Sequence, residues 1–141
     1  MTVDQRVKLA DDYHSRGYNC AQAVTASLRD FADFDERTAL MLSSSFGGGF
    51  GKLQEVCGAF SGMAIIAGML YGDYHDDAGK QAHYALVREL AERFKALHGT
   101  LICRELLAAA EASEHPEIKP CGEIIRSAVR LMCEFIDENG R

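Results

Sequence analysis

The sequence predicts an all-α protein, a compact single-domain bundle of six or seven helices with a glycine-rich apolar helix at its centre. Apolar residues recur at helical spacing along most of the chain, and helix caps and stops separate these segments. The chain has 141 residues, close to the usual size of one domain, with no internal repeat and no interior linker. Residues 1–141 are therefore predicted to form a single domain.

The first two helices are predicted from their ends. Apolar residues recur at helical spacing over residues 3–15, and Gly17 then suits the left-handed position in which helices often end. Asn19 with Gln22 three residues later is a variant of the capping box. We therefore predict a second helix over residues 20–32.

A glycine loop separates a short third helix from the central one. Asp33 with Glu36 is another capping pair and predicts a helix that ends near residue 44. Residues 46–51 read FGGGFG, and the four glycines leave the backbone too free for regular structure. The apolar segment 53–71 is the predicted central helix.

Three further helices complete the prediction. Residues 77–97 show the longest amphipathic pattern, and a helix over residues 101–111 follows with Thr100 as its candidate N-cap. Two prolines interrupt residues 115–120, and Pro120 suits the first turn of a last helix over residues 121–139.

Composition excludes several classes of partner. The net charge is -6, with 48% apolar and 26% charged residues, which is typical of a soluble globular protein. Because phosphate binding needs clustered lysine and arginine, we expect no nucleic-acid partner.

The uncharged segment 56–72 holds four glycines and is only just long enough to cross a bilayer, so we expect a buried helix and no membrane span. Such a helix supplies more apolar surface than a small bundle hides, which suggests a homodimer.

Five cysteines are the unusual feature of the composition. The charged N-terminus lacks the apolar stretch of a secretory signal, so we expect a reducing cytoplasm, where stable disulfides are rare. Four of the cysteines fall at predicted helix starts, where the helix dipole and unpaired N–H groups lower a thiol pKa. They are Cys20, Cys57, Cys103 and Cys121. Cys133 lies mid-helix on an apolar stripe and is interpreted as a small buried hydrophobe.

Spacing alone leaves two interpretations of these cysteines open. No CxxC or CxxCH is present, and the gaps are long, so any shared site must be built by tertiary packing. The alternative is inert packing, because cysteine is among the most buried residue types.

The segment GGGFGKLQEVCGAFSG, residues 47–62, carries a family resemblance. It resembles the redox-active family named for its C-GCAxxG-C-C cysteine pattern, since Cys57, Gly58, Ala59 and Gly62 match the CGAxxG motif. Cys20 lies in a YNCAQA stretch typical of the family's start, and Cys103 and Cys121 resemble its two later cysteines. The resemblance covers nearly the whole chain. It implies a small helical protein of prokaryotes, thought to be redox-active, with no established reaction.

Glycines around this motif have two interpretations. A glycine inside a helix costs about 1 kcal/mol relative to alanine, so each needs a reason. One reason is close helix packing by pairs four residues apart; the other is room for a cluster or substrate beside Cys57. The loop N–H groups are a candidate nest for sulfur or carboxylate groups. The glycines considered for cofactor binding are Gly47, Gly48, Gly49, Gly58 and Gly62.

Other polar residues are weaker candidates. His14, six residues before Cys20, is the best additional ligand or base, although a solvated surface histidine is the simpler interpretation. Arg104 can stabilise a thiolate or pair with a surface carboxylate, and Glu55 can exchange a proton with a thiol or serve as a first-turn charge.

Three hypotheses for function remain. In the first, the four cysteines bind a metal centre for electron transfer, an iron–sulfur cluster ahead of zinc, because zinc does not change oxidation state. In the second, they act as metal-free thiol–disulfide groups. In the third, the chain is a structural or interaction protein. A redox role implies a partner protein or small molecule. We expect the sulfurs of Cys57, Cys103 and Cys121 in one pocket, with Cys20 joining them after a small movement.

Overall fold

Seven α-helices account for most of the chain in the computed structural model, which describes residues 1–140. No strand is present among those residues, and one isolated antiparallel bridge joins Val56 to Ile102. The predicted all-α fold is confirmed. The helices are α1 (Val3–Ser15), α2 (Cys20–Ser27), α3 (Glu36–Ser43), α4 (Gly58–Tyr71), α5 (Asp77–His98), α6 (Cys103–Glu111) and α7 (Cys121–Asn139).

Several helix ends lie where the sequence predicts them, whereas α6 begins at Cys103 after Ile102 and not behind the predicted cap Thr100. Helices α1 and α7 have the predicted bounds, and α2 begins at Cys20 behind the predicted capping box of Asn19 and Gln22. The helix bounds predicted over residues 28–36 were wrong in detail. Helix α2 ends at Ser27 and a 3₁₀ turn, Arg29–Ala32, follows it.

The cap of α3 is Asp35, not Asp33. The side chain of Asp35 accepts a hydrogen bond from the N–H of Thr38 at 2.7 Å. Asp33 instead adopts a left-handed conformation, with φ 59°, that closes the preceding 3₁₀ turn. Aspartate suits either position, because its short side chain caps helices and it tolerates left-handed backbone better than most residues.

Helices α2 and α4 form the centre of the fold. Six of the eight residues of α2 are buried, and α4 packs against it and against α5 and α7. Gly62 allows the close approach, because a Cβ there would lie 3.0 Å from both the carbonyl oxygen of Ala21 and the Cβ of Val24. The glycine-rich helix is therefore central, as predicted.

The central helix buries one side and leaves the other partly exposed. Its buried residues include Phe60, Met63 and Ile66, and Met69 is its one large hydrophobic residue counted as exposed. Ala64, Ile65 and Gly68 beside Met69 are only partly buried, so this helix keeps some accessible apolar surface and the homodimer stays a prediction. None of the described helices combines the length and apolar character needed to cross a membrane.

Candidate functional site

The four predicted cysteines line one cavity of about 200 Å³. Cys57 is buried, and the other three are partly exposed. All five cysteines of the chain are free thiols. Cys20 already lines this cavity together with the other three, so the small movement expected for it is not needed. The four cysteines are Cys20, Cys57, Cys103 and Cys121.

Each cysteine of the cavity lies at a helix start, as the sequence predicts. Cys20, Cys103 and Cys121 are the first residues of α2, α6 and α7, and Cys57 is the N-cap of α4. The N-terminal ends of four helices therefore converge on one cavity. This arrangement brings together residues that are far apart in sequence, as the long gaps between the cysteines require.

A capping network positions Cys20. The N–H of Gln22 donates to Asn19 Oδ1 at 2.9 Å, and the N–H of Asn19 donates to Gln22 Oε1 at 3.1 Å. Asn19 Nδ2 also donates to the carbonyl oxygen of Ser44 at 3.1 Å. These bonds fix the start of α2 against the turn that precedes the glycine loop.

A short backbone clamp joins Cys57 to Cys103. The N–H of Cys57 donates to the carbonyl oxygen of Leu101 at 2.7 Å, and the N–H of Cys103 donates to that of Glu55 at 2.6 Å. The bridge between Val56 and Ile102 lies between these two bonds. The clamp therefore sets the starts of α4 and α6 side by side.

The glycine loop winds with left-handed backbone. Three non-glycine residues there also have positive φ: Phe50 (71°), Lys52 (63°) and Gln54 (60°). Because this conformation resists helix formation, α4 begins at Gly58 and not near residue 53 as predicted. Each backbone N–H from residue 50 to 55 donates to a carbonyl oxygen of residues 45–50. Of the candidate nest over residues 47–51, the N–H groups of Phe50 and Gly51 are therefore already paired within the loop.

The motif glycines make room for neighbouring atoms of the protein. A Cβ on Gly58 would lie 2.5 Å from Cys20 Sγ and 2.7 Å from the carbonyl oxygen of Phe46. A Cβ on Gly49 would lie 2.7 Å from the Cβ of Cys103. Gly48 and Gly58 line the cavity, whereas Gly47 packs against the side chain of Asn19 and Gly62 against α2.

Burial raises the pKa of three of these thiols, contrary to the expectation from the helix dipole. Burial first, and the nearby thiolates of Cys20 and Cys103 in addition, raise the pKa of Cys57 to about 12. The N–H groups of Ala59 and Phe60 at the start of α4 lower that pKa, but by less than burial raises it. Burial likewise raises the pKa of Cys103 and of Cys121, and a thiolate on Cys20 raises both further.

The raised pKa of Cys57 predicts an alkaline loss of stability. In the unfolded chain this thiol ionises near pH 9, whereas in the folded chain it stays protonated to about pH 12. Its contribution to stability is therefore full below pH 9 and is lost as the pH rises from 9 to 12. We expect the fully reduced wild type to lose about 2–3 kcal/mol more than Cys57→Ser between pH 8 and pH 11, measured by urea denaturation with a reductant present. Equal losses would show that Cys57 ionises normally in the fold.

Of the other polar candidates, His14 lies at the cavity. His14 is half-buried and lines the cavity beside the cysteines, so it is not the solvated surface residue of the simpler interpretation. Arg104 Nη2 donates to Glu55 Oε1 at 3.3 Å and to the carbonyl oxygen of Leu53 at 3.2 Å. Arg104 and Glu55 thus pair with each other across the clamp, and Arg104 lowers the pKa of Cys103 in part.

Cys133 lies outside the cavity. It is buried in the middle of α7 and faces a separate groove beside Arg6 and Arg130. Burial raises the pKa of its thiol. This position agrees with the packing role predicted for it.

Sequence reasoning missed the apolar wall of the cavity. Leu106 and Leu107 of α6, together with Pro120 and Ile124, form this apolar part of the lining. The amphipathic pattern of α6 signals a buried face, but it does not say that this face meets four thiols.

The thiols suit a soft metal by chemistry but not by position. Four thiolates are the usual ligand set of zinc and iron–sulfur sites. However, within residues 1–140 no three His, Cys, Asp or Glu side chains are grouped so that they could hold a metal ion. The cysteines would have to move before they could bind one.

Comparison with known families agrees with the motif. Residues 18–135 match the family model described as "Putative redox-active protein (C_GCAxxG_C_C)". No match to the chain was found among curated proteins or among solved structures. The matched region includes all four cysteines of the cavity and the glycine motif around Cys57. The chain therefore belongs to the C_GCAxxG_C_C family of redox-active proteins.

Proposed function

We propose that the four cysteines of the cavity are the redox-active groups of this protein and that they work as thiol–disulfide pairs. The observation that carries the proposal is the convergence of four free thiols on one cavity. Burial raises the pKa of three of these thiols, and a disulfide, like a protonated thiol, places no charge in the cavity.

Cys20 and Cys57 are assigned to one pair. Cys20 Sγ packs against Gly58, the residue next to Cys57, and Cys20 is the thiolate that most raises the pKa of Cys57. Cys103 and Cys121 are then left as the second pair; in addition to burial, a thiolate on Cys20, and to a smaller extent one on Cys103, raises the pKa of Cys121. The first pair includes the one buried cysteine of the cavity, so the second pair is the more accessible to a partner.

The reaction consumes one external disulfide for each protein disulfide formed. A cavity thiolate attacks one sulfur of the external disulfide, whose S–S bond breaks and releases the first thiol after it takes up a proton. The paired cysteine then loses its proton and attacks the mixed disulfide, which releases the second thiol. Two protein thiols are oxidised and one external disulfide is reduced. The external disulfide belongs to a redox partner protein or a small molecule, and we place this chemistry in a reducing cytoplasm.

A metal centre is the second candidate, favoured by the donor set itself. Cys20, Cys57, Cys103 and Cys121 would hold it, and an iron–sulfur cluster would supply one-electron transfer. The separation of the cysteines places this candidate second, since the thiols are not grouped for an ion.

Protein purified anaerobically distinguishes these functions. We expect colourless protein without stoichiometric iron or zinc, in which four thiols per chain are lost on mild oxidation and recovered on reduction. Free thiols are counted with a thiol reagent in denaturant, and the metal content and visible spectrum are measured on the same sample. Stoichiometric iron with visible absorption would establish the metal centre instead. Thiols that resist reversible oxidation, without metal, would leave a structural protein.

A further inference from the structure

The imidazole of His14 shares the cysteine cavity with the four thiols. His14 lies in the last turn of α1 and is half-buried. Within residues 1–140 no hydrogen bond or ion pair engages its ring. The half-buried His98, by comparison, shares a hydrogen bond of 2.6 Å with Ser127 Oγ. The ring of His14 is therefore available to exchange a proton with a group in the cavity.

The thiols of this cavity need a base before they attack a disulfide. The attacking species is the thiolate. Burial raises the pKa of Cys57 to about 12 and also raises the pKa of Cys103 and of Cys121, so these three residues supply little thiolate near neutral pH. Histidine is the side chain that ordinarily takes up and returns protons in that range, which suits it to the role of base and acid in turn.

The charged residues around the cavity are paired elsewhere or lie outside its lining. Asp11, one turn before His14 on α1, pairs with Arg126 of α7 at 3.2 Å. Arg104 of α6 pairs with Glu55 at 3.3 Å. Lys119, just before α7, is exposed and lowers the pKa of Cys121 in part. Among the described residues that line the cavity, the imidazole and the four thiols are the groups that titrate.

We infer that His14 is the acid–base group of the four-cysteine cavity, which accepts the proton of the attacking thiol and returns it to the departing one. The inference rests on the proposed thiol–disulfide function and adds the group that moves the protons.

The proton transfers follow the two steps of the exchange. In the first step an imidazole nitrogen takes the proton of a cavity thiol, and the thiolate attacks the external disulfide. Its S–S bond breaks, and the departing sulfur takes the proton from the imidazolium. The second step repeats this transfer as the paired cysteine displaces the second external sulfur. Two protein thiols are oxidised, one external disulfide is reduced, and His14 ends in its starting state.

Oxidation rates at two pH values test this role. Reduced wild type and His14→Gln are treated anaerobically with 2-hydroxyethyl disulfide, an uncharged probe, and thiol loss is followed. We expect His14→Gln to react at least about tenfold more slowly at pH 7, because its amide does not exchange protons there. At pH 9.5 hydroxide removes thiol protons directly, so the deficit should shrink several-fold. A side chain that only shaped the cavity would leave the same deficit at both pH values.

His98→Gln is the matched control, because His98 is a half-buried histidine that does not line the cysteine cavity. We expect it to react at the wild-type rate at both pH values. His14→Asn is measured in parallel in case the glutamine variant loses its fold, and circular dichroism checks the helical signal of each protein.

The outcomes separate the inference from the function on which it rests. Equal rates for the wild type and the folded His14 variants at pH 7, or a deficit that is as large at pH 9.5, would overturn the role of His14 and leave the proposed function intact. A wild type that the disulfide does not oxidise reversibly would overturn the proposed function itself.

Discussion

Cys57→Ser is expected to halve the reversible oxidation of the protein, from four thiols lost per chain to two. Serine cannot form a disulfide, so Cys20 loses its assigned partner, while Cys103 and Cys121 keep theirs. The helical signal should persist, because serine is similar in size to cysteine and the N-cap of α4 accepts it well. Thiol counting before and after mild oxidation, with circular dichroism, measures both effects.

Cys133→Ala is the matched control for this variant. Cys133 is also buried, but it lies in the middle of α7 and outside the cavity. We expect the substitution to leave four reversibly oxidised thiols and to cost about 1 kcal/mol of stability for a small vacancy. If Cys133→Ala lost reversible oxidation and Cys57→Ser kept it in full, the assignment of the site to the four-cysteine cavity would be wrong.

Gly58→Ala is expected to destabilise the fold by about 1–3 kcal/mol and to displace Cys20. The added Cβ would lie 2.5 Å from Cys20 Sγ, 2.7 Å from the carbonyl oxygen of Phe46 and 3.3 Å from the N of Ala21. The sulfur can rotate away, but the two backbone atoms belong to packed elements. The displaced sulfur should slow the oxidation of the Cys20–Cys57 pair, which urea denaturation and thiol counting measure together.

Gly68→Ala on the same helix should have the opposite effect on stability. Nothing lies within 4 Å of a Cβ at Gly68, so alanine gains its helix propensity without a clash. We expect a stabilisation of about 0.5–1 kcal/mol and unchanged oxidation. Its open surroundings also show that the four-residue glycine spacing marks close packing at Gly58 and Gly62 but not at Gly68. Equal stabilities of the two variants would refute the close contact at Gly58.

Elements governed by local chemistry could be predicted from the sequence. The capping box of Asn19 and Gln22 acts within four residues, so the start of α2 follows from adjacent side chains. Pro120 and the apolar stripe behind it fix the bounds of α7 in the same way. The pattern of helical spacing was therefore sufficient for the fold class.

Features that depend on distant contacts could not be predicted. The left-handed backbone at Phe50, Lys52 and Gln54 is unfavourable by itself and is held by the clamp to residues 101–104. No local sequence signal indicates the hydrogen bonds between the end of the glycine loop and residues 101–104. The thiol pKa values reverse the prediction for the same reason, since desolvation by the surrounding fold exceeds the effect of the helix ends.

The candidate site was predictable in its residues but not in its surroundings. The motif around Cys57 and the order of the cysteines identify the four thiols, and their helix starts explain how four distant residues share one cavity. The apolar wall comes from Leu106, Leu107 and Ile124, whose pattern is that of any packed helix face. The character of the cavity is therefore a property of the tertiary structure.

Residue-resolved labelling tests the central claim most directly. The protein is equilibrated anaerobically in reduced and mildly oxidised states. Its free thiols are alkylated in denaturant with one reagent, and the thiols released by reduction are then alkylated with a second reagent. Peptide mass spectrometry identifies the label on each cysteine. The account predicts reversible oxidation of Cys20, Cys57, Cys103 and Cys121, with disulfide-linked peptides joining Cys20 to Cys57, while Cys133 stays a free thiol. Four site cysteines that remain free thiols at every potential, or oxidation that involves Cys133 in their place, would contradict it.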